Sequence, residues 1–142
     1  PTRHTPLPQV RLMSAVSHPN VLRLLGVAVG SDGSLSMITP YFSRGSVYMW
    51  LRSRCGGHPP PMDQAVRILI DVALGMGHLH SRSPRIIHRD LKSSNCLLSV
   101  DGSVCIADFG LSRELSATSA ATRVGTLQWV APEVLLGQVR VM

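Results

Sequence analysis

Hydrophobic and polar positions change period several times along this chain, and each change predicts an element. From Asp63, a candidate N-cap, Ala65, Leu69, Val72, Met76 and Leu79 recur at spacings of four and three, which predicts a helix of about five turns with one apolar face. Gly75 and Gly77 lie inside it. Each costs on the order of 1 kcal/mol relative to alanine, so both predict close packing against a neighbour. "VLRLLGVAVG" (21–30) and "LSMIT" (35–39), joined by "SDGS", predict an antiparallel hairpin. "NCLLSV" and "VCIADF" around "DGS" (101–103) predict a second. "VRLMSAVSHPN" (10–20) predicts a short helix that stops before Pro19, and the three prolines of residues 1–9 predict an irregular lead-in. "GSVYMWLRSR" predicts a helix with Ser46 as N-cap, preceded by a non-helical connector from Pro40 to Arg44 and followed by a loop over 55–61.

Composition narrows the class. A length of 142 residues with 44% hydrophobic content suits one globular domain. Arg11, Arg23 and Arg67 interrupt the most apolar stretches, so no run reaches the roughly 18 residues of a membrane span, and the N-terminus has no signal-peptide layout. An intracellular, cytoplasmic protein with no membrane segment is expected. Cys55, Cys96 and Cys105 are odd in number and form no CxxC pair, which argues against a disulfide framework or a zinc site. A net charge of +6 would permit nucleic-acid binding, but the arginines are scattered and only six residues are aromatic, so nucleic acid is not an expected partner. The chain starts at Pro1 and stops at Met142, and both ends read as cut from something longer.

Only 15% of the residues are charged, yet "HRDLKSSN" (88–95) puts histidine, arginine, aspartate, lysine and asparagine into eight positions. Lys92 is the only lysine in the chain. A loop followed by a tight hairpin would return Asp108 close to Asn95, and a carboxylate beside an amide oxygen suits Mg²⁺. Lys92 could neutralise phosphate oxygens and Asp90 could accept a hydroxyl proton, which are the parts of phosphoryl transfer. Taken singly, these residues would read as turn and cap residues. His78 and His80, two apart on a helix, point to different faces and predict no metal pair.

Together, "HRDLKSSN" resembles the catalytic loop of protein kinases, "DFG" (108–110) their metal motif and "APE" (131–133) the end of their activation segment. The resemblance covers about residues 9–139, with "HPNVLRLLG" similar to the fourth strand and "MITPYFSRGS" to the hinge. It implies an α+β, partial protein-kinase-like fold, an incomplete domain over 1–142: an N-lobe remnant at 9–39, a hinge at 40–45, and a C-lobe from 46 through the activation segment. It implies ATP and Mg²⁺ as cofactors and a protein serine or threonine as substrate. Asp90 would orient and deprotonate the substrate hydroxyl, Lys92 would contact the transferred phosphate, and Asn95 and Asp108 would bind magnesium. Thr39 would be the gatekeeper, the Pro40 carbonyl and Phe42 backbone would meet the adenine edge, and Leu97 would lie under the base. Arg89 would pair with a phosphate on Ser116, Thr118, Ser119 or Thr122. Lys92 together with Thr126 in "GTLQWVAPE" resembles the serine/threonine type, and more loosely the tyrosine-kinase-like group, which puts Thr126 in the regulatory segment. Met13, Leu24, His88 and Phe109 match the apolar stack that links the two lobes.

The pattern also has departures. No GxGxxG occurs, the sole lysine is Lys92, both glutamates (Glu114 and Glu133) follow Asp108, and Gln9 stands where a helix glutamate belongs. Two function classes follow: the central segment of a serine/threonine protein kinase, or a degenerate kinase relic that binds proteins without catalysis. Either way, the isolated segment is expected to be inactive and prone to association through an unpaired strand edge. A flanking GxGxxG and a strand lysine would discriminate between the two.

Overall fold

A computed structural model of the chain describes residues 7–54, 58–109, 112–114 and 126–136. The mixed architecture is as expected: four α-helices and three two-stranded antiparallel ladders among those residues.

Helix α1 (Leu7–Ser14) starts three residues before the expected position, within the stretch where the prolines predict an irregular lead-in. Pro8 falls in its first turn, where no intrahelical N–H is required and the fixed φ suits a helix. Leu12 and Met13 turn inward, and the helix ends well short of Pro19.

Strands β1 (Gly26–Val29) and β2 (Leu35–Ile38) pair from Gly26↔Ile38 to Val29↔Leu35. The expected first strand is thus halved. Its upstream part docks elsewhere: the Ile106 N–H donates to the Asn20 carbonyl at 2.9 Å and the Leu22 N–H to the Ile106 carbonyl at 2.8 Å. Backbone groups already bonded to the second hairpin cannot extend the first.

Helix α2 (Val47–Arg54) has the expected cap, the Met49 N–H donating to Ser46 Oγ at 3.3 Å. Helix α3 (Met62–His80) is the long helix, but its N-cap is Pro61, and Asp63 sits inside the first turn, where a carboxylate complements the helix dipole. Its packed face also differs from the expected one. Ile68, Val72, Met76 and Leu79 pack into the core, whereas Leu69 is 67% exposed. The reason lies at Gly75, where an added Cβ would come within 2.6 Å of the Asn20 carbonyl oxygen and 2.8 Å of Ile106 Cδ1. This close approach fixes the seam along 68, 72, 75 and 79 and leaves Leu69 to one side. Gly77 meets nothing within 4 Å, so the packing expected there is absent.

Strand β3 (Ile86–Ile87) pairs with β6 (Arg113–Glu114), and β4 (Cys96–Leu98) with β5 (Val104–Ile106) in the register Cys96↔Ile106, Leu97↔Cys105 and Leu98↔Val104. Helix α4 (Pro132–Leu135) opens on a proline. Two buried clusters hold the whole together: α1, the 16–21 segment, Leu79, Ile86 and Phe109 in one, and Val47, Trp50, Cys96, Leu98 and Val104 in the other. Burial pushes the Cys96 thiol up to about 11, which keeps it protonated and inert at neutral pH. No helix among the described residues is long and apolar enough to cross a membrane.

Candidate active site

The polar loop 88–95 lies between β3 and β4, and the following hairpin brings residues 107–109 back beside it. The return is close: the Ala107 N–H donates to the Asn95 carbonyl at 2.8 Å, one residue before Asp108. His88 is fully buried, its Nε2 donating to the Ala107 carbonyl at 2.9 Å while Nδ1 faces the Asp90 N–H at 3.4 Å. Burial outweighs the nearby carboxylates and lowers the His88 pKa, so the ring stays neutral and serves as a brace.

Asp90 is 7% exposed and is the hub of the loop. Its Oδ2 receives Lys92 Nζ at 2.7 Å and Asn95 Nδ2 at 3.1 Å. Its Oδ1 receives the Thr126 N–H at 2.9 Å and the Thr126 hydroxyl at 2.7 Å. Lys92 Nζ in turn donates to Thr126 Oγ1 at 2.6 Å, closing the ring of contacts. Burial alone would raise the Asp90 carboxyl, but the hydrogen bonds from Lys92 and Thr126 outweigh it and hold the group below the usual carboxylate range. Asp90 is therefore an ionised acceptor at neutral pH.

Asn95 Nδ2 also donates to the Asp90 carbonyl at 2.9 Å. With the amide nitrogen committed to Asp90, Oδ1 is the atom left for a cation. Asp108 supplies an exposed carboxylate just beyond the hairpin ladder, so the pair offers the oxygen donors that Mg²⁺ takes. Asp108 (φ 66°) and Arg89 (φ 65°) are the only non-glycine residues of positive φ among those described. Such a conformation costs about 1–3 kcal/mol and persists where surrounding contacts enforce it, commonly at functional sites.

Thr39, Pro40 and Phe42 are half-buried in the connector after β2, and Tyr41 between them is 90% exposed. The connector reaches the second hairpin through the Leu98 N–H, which donates to the Gly45 carbonyl at 2.8 Å, next to half-buried Leu97. Met13 and Phe109 share one core cluster with Leu24 packed on it, and the His88 and Phe109 rings lie 5.6 Å apart, so the four stack residues come together. Gly110 and the candidate phosphoacceptors Ser116, Thr118, Ser119 and Thr122 lie outside the described residues.

The family described as "Protein tyrosine and serine/threonine kinase" matches residues 2–140. The chain belongs to the protein kinase family. It is 43% identical over 133 residues to the serine/threonine-protein kinase CTR1 of Arabidopsis thaliana, covering 91% of this chain and 16% of that protein. It is also 43% identical over 132 residues to a probable serine/threonine-protein kinase of Dictyostelium discoideum, covering 91% and 13%. Among solved structures, a chain of the yeast RNA Pol II CTD kinase CTDK-1 complex is similar with a TM-score of 0.80 and 32% identity, over 91% of this chain and 41% of that one. The chain thus spans less than a fifth of the length of these curated relatives.

Within this kinase-family chain, the contact that sequence reading missed is the one made by Thr126. It stood out only as a marker of type in a regulatory segment, whereas its backbone and hydroxyl both bind the Asp90 carboxylate from 36 residues away. No periodicity signals a contact of that range; only the pairing of Lys92 with a later threonine hints at it.

Proposed function

We propose that this chain is the central part of a serine/threonine protein kinase, with 9–39 belonging to the N-lobe, 40–45 to the hinge and 46–142 to the C-lobe through the activation segment. The observation that carries the proposal is the closed network of Asp90, Lys92, Asn95 and Thr126. A relic that only binds proteins has no need to keep an ionised carboxylate so fully engaged.

In this reading Asp90 Oδ1 holds the substrate hydroxyl and takes its proton, in the place where it now accepts the Thr126 hydroxyl. Lys92, held 2.7 Å from the same carboxylate, offers its ammonium to the transferred phosphoryl oxygens. Asn95 Oδ1 and the Asp108 carboxylate would hold Mg²⁺, which would supply positive charge to offset that of the ATP phosphates. Thr39 and the backbone of Pro40 and Phe42 would line the adenine edge with Leu97 beneath; a proline at 40 forfeits only an N–H, leaving its carbonyl to accept. Arg89 would receive a phosphate on Ser116, Thr118, Ser119 or Thr122. Thr126 is better read as a positioning residue than as a phosphoacceptor, because its hydroxyl is shared between Asp90 and Lys92. Substrates would be protein hydroxyls met inside the cell.

The test uses the full-length native chain. Transfer of labelled γ-phosphate to a generic protein substrate should fall by about 10²-fold or more in D90N, since general base catalysis alone supplies about 10²–10⁴-fold. A wild-type protein that neither transfers phosphate nor binds ATP would overturn the proposal in favour of the relic.

A further inference from the structure

Helix α3 meets the 16–22 segment through two histidines. The rings of His18 and His78 stack with centroids 4.8 Å apart and planes 23° from parallel. His78 Nε2 is enclosed and has no hydrogen-bond partner, while His18 Nδ1 accepts the Asn20 N–H at 3.1 Å. That bond uses the Nδ1 lone pair and fixes the orientation of the His18 ring against His78.

Asn20 is the residue through which this joint reaches the candidate active site. Its Nδ2 donates to the Val104 carbonyl at 2.9 Å, and its own carbonyl accepts the Ile106 N–H at 2.9 Å, two residues before Asp108. The same carbonyl lies against Gly75 of α3. A change at His18 therefore acts on a buried residue that ties three elements together.

We propose that the His18–His78 stack is a pH-sensitive latch that holds the 16–22 segment on β5 and α3 while His78 is neutral and loosens it when His78 takes up a proton. His18 carries the stack to Asn20 through its Nδ1, so displacing its ring from His78 strains the bond from the Asn20 N–H. Protonation of His78 puts a charge into an enclosed contact with no acceptor for Nε2 and against the stacked His18 ring.

The surroundings favour a neutral His78. His78 is lowered from its ordinary value of 6.5 by burial first, then by His18 and by Arg82 in the turn after α3. No carboxylate among the described residues acts on it. Cys105 on β5 donates to the Pro19 carbonyl, and Asp71 on α3 accepts the Val104 N–H. Because the folded state binds His78's proton more weakly than the unfolded state, this contribution to stability is full above pH 6.5 and is lost as pH falls through the lowered folded value.

The test is amide hydrogen exchange of the full-length native protein between pH 7.5 and 5.5, corrected for intrinsic rates, on wild type and His78→Phe, which keeps a ring in the stack but cannot titrate. In the wild type, protection of the Asn20, Leu22 and Ile106 amides should drop by a larger factor than that of α2 as the pH falls. His78→Phe should abolish the excess drop. Wild-type protection that is no more pH-sensitive at these amides than in α2 would overturn the proposal, as would an unchanged drop in the variant. If His78→Phe fails to fold, the wild-type comparison decides.

Discussion

The β1–β2 and β4–β5 hairpins are built from almost the same local chemistry and end up in opposite surroundings. Each turns on an Asp-Gly pair, Asp32-Gly33 in one and Asp101-Gly102 in the other, with the glycine at φ 77° and 91° respectively. In each, the aspartate Oδ1 accepts the N–H of the serine two residues on at 3.0 Å, and the aspartate pKa is lowered, at Asp32 by the Ser34 hydroxyl first and then its N–H, at Asp101 by the Ser103 N–H first and then its hydroxyl. Yet β1 is exposed at three of its four residues, whereas β4 and β5 are each buried at two of three. The difference lies in what packs on them. Helices α2 and α3 cover the second hairpin and the 20–22 segment bonds to its edge, while the strands of the first pair only with each other among the described residues and meet the core through Met37. Turn chemistry makes a hairpin; a partner makes it part of the core.

The largest test of that contrast is a matched truncation in the two hairpins. Ile106 of β5 is fully buried and Ile38 of β2 is 49% exposed. Ile106→Ala should cost about 2–5 kcal/mol, the range for emptying a core isoleucine site. Ile38→Ala should stay within about 0.5 kcal/mol, as for other surface positions. Denaturant unfolding of the full-length chain measures both, and equal costs would break the comparison.

A second test asks how tightly the second hairpin's partner is fitted. Alanine at Gly75 would drive a methyl into the Asn20 carbonyl and Ile106 Cδ1, so the loss should be about 1–3 kcal/mol, as for overpacking in a core. Alanine at Gly77, two residues along the same helix, meets open space and should raise stability by up to about 1 kcal/mol through helix propensity. Thermal melts of the two variants should shift in opposite directions. A loss at both positions would mean that α3 is packed all round.

The two glycines also show where sequence reading stops. Both looked alike as helix-interior glycines, and only the tertiary approach of Asn20 separates them. The same approach explains why Leu69, on the expected apolar face, is exposed while Ile68 is packed: periodicity finds a helix but not which part of a broad apolar arc meets the core. Capping was legible at Ser46 and misplaced at Asp63, because the Pro61 carbonyl already accepts the Ala65 N–H at 3.0 Å and starts the helix without a side-chain cap. The α+β class, both hairpins and the loop residues Asp90, Lys92 and Asn95 were legible because they are local patterns. The bonds from Thr126 to Asp90 and the docking of residues 20–22 on β5 were not, since each joins positions far apart in the chain.

The smallest effect separates local from global stability most cleanly. Gly33 and Gly102 both have positive φ, and an alanine there costs roughly 1–2 kcal/mol of left-handed backbone strain wherever it sits. The local cost should thus be the same in both variants. Its destination should differ, because β4–β5 opens only with the core that covers it, while β1–β2 can fray alone. Gly102→Ala should lower the protection of core amides such as Leu98 and Ile106, along with the unfolding midpoint. Gly33→Ala should speed exchange at Val29 and Leu35 and leave the core amides unchanged. If Gly33→Ala also lowered core protection, the first hairpin would have to be held by contacts as cooperative as those of the second, and its exposed strands would need a cover supplied by the rest of the protein.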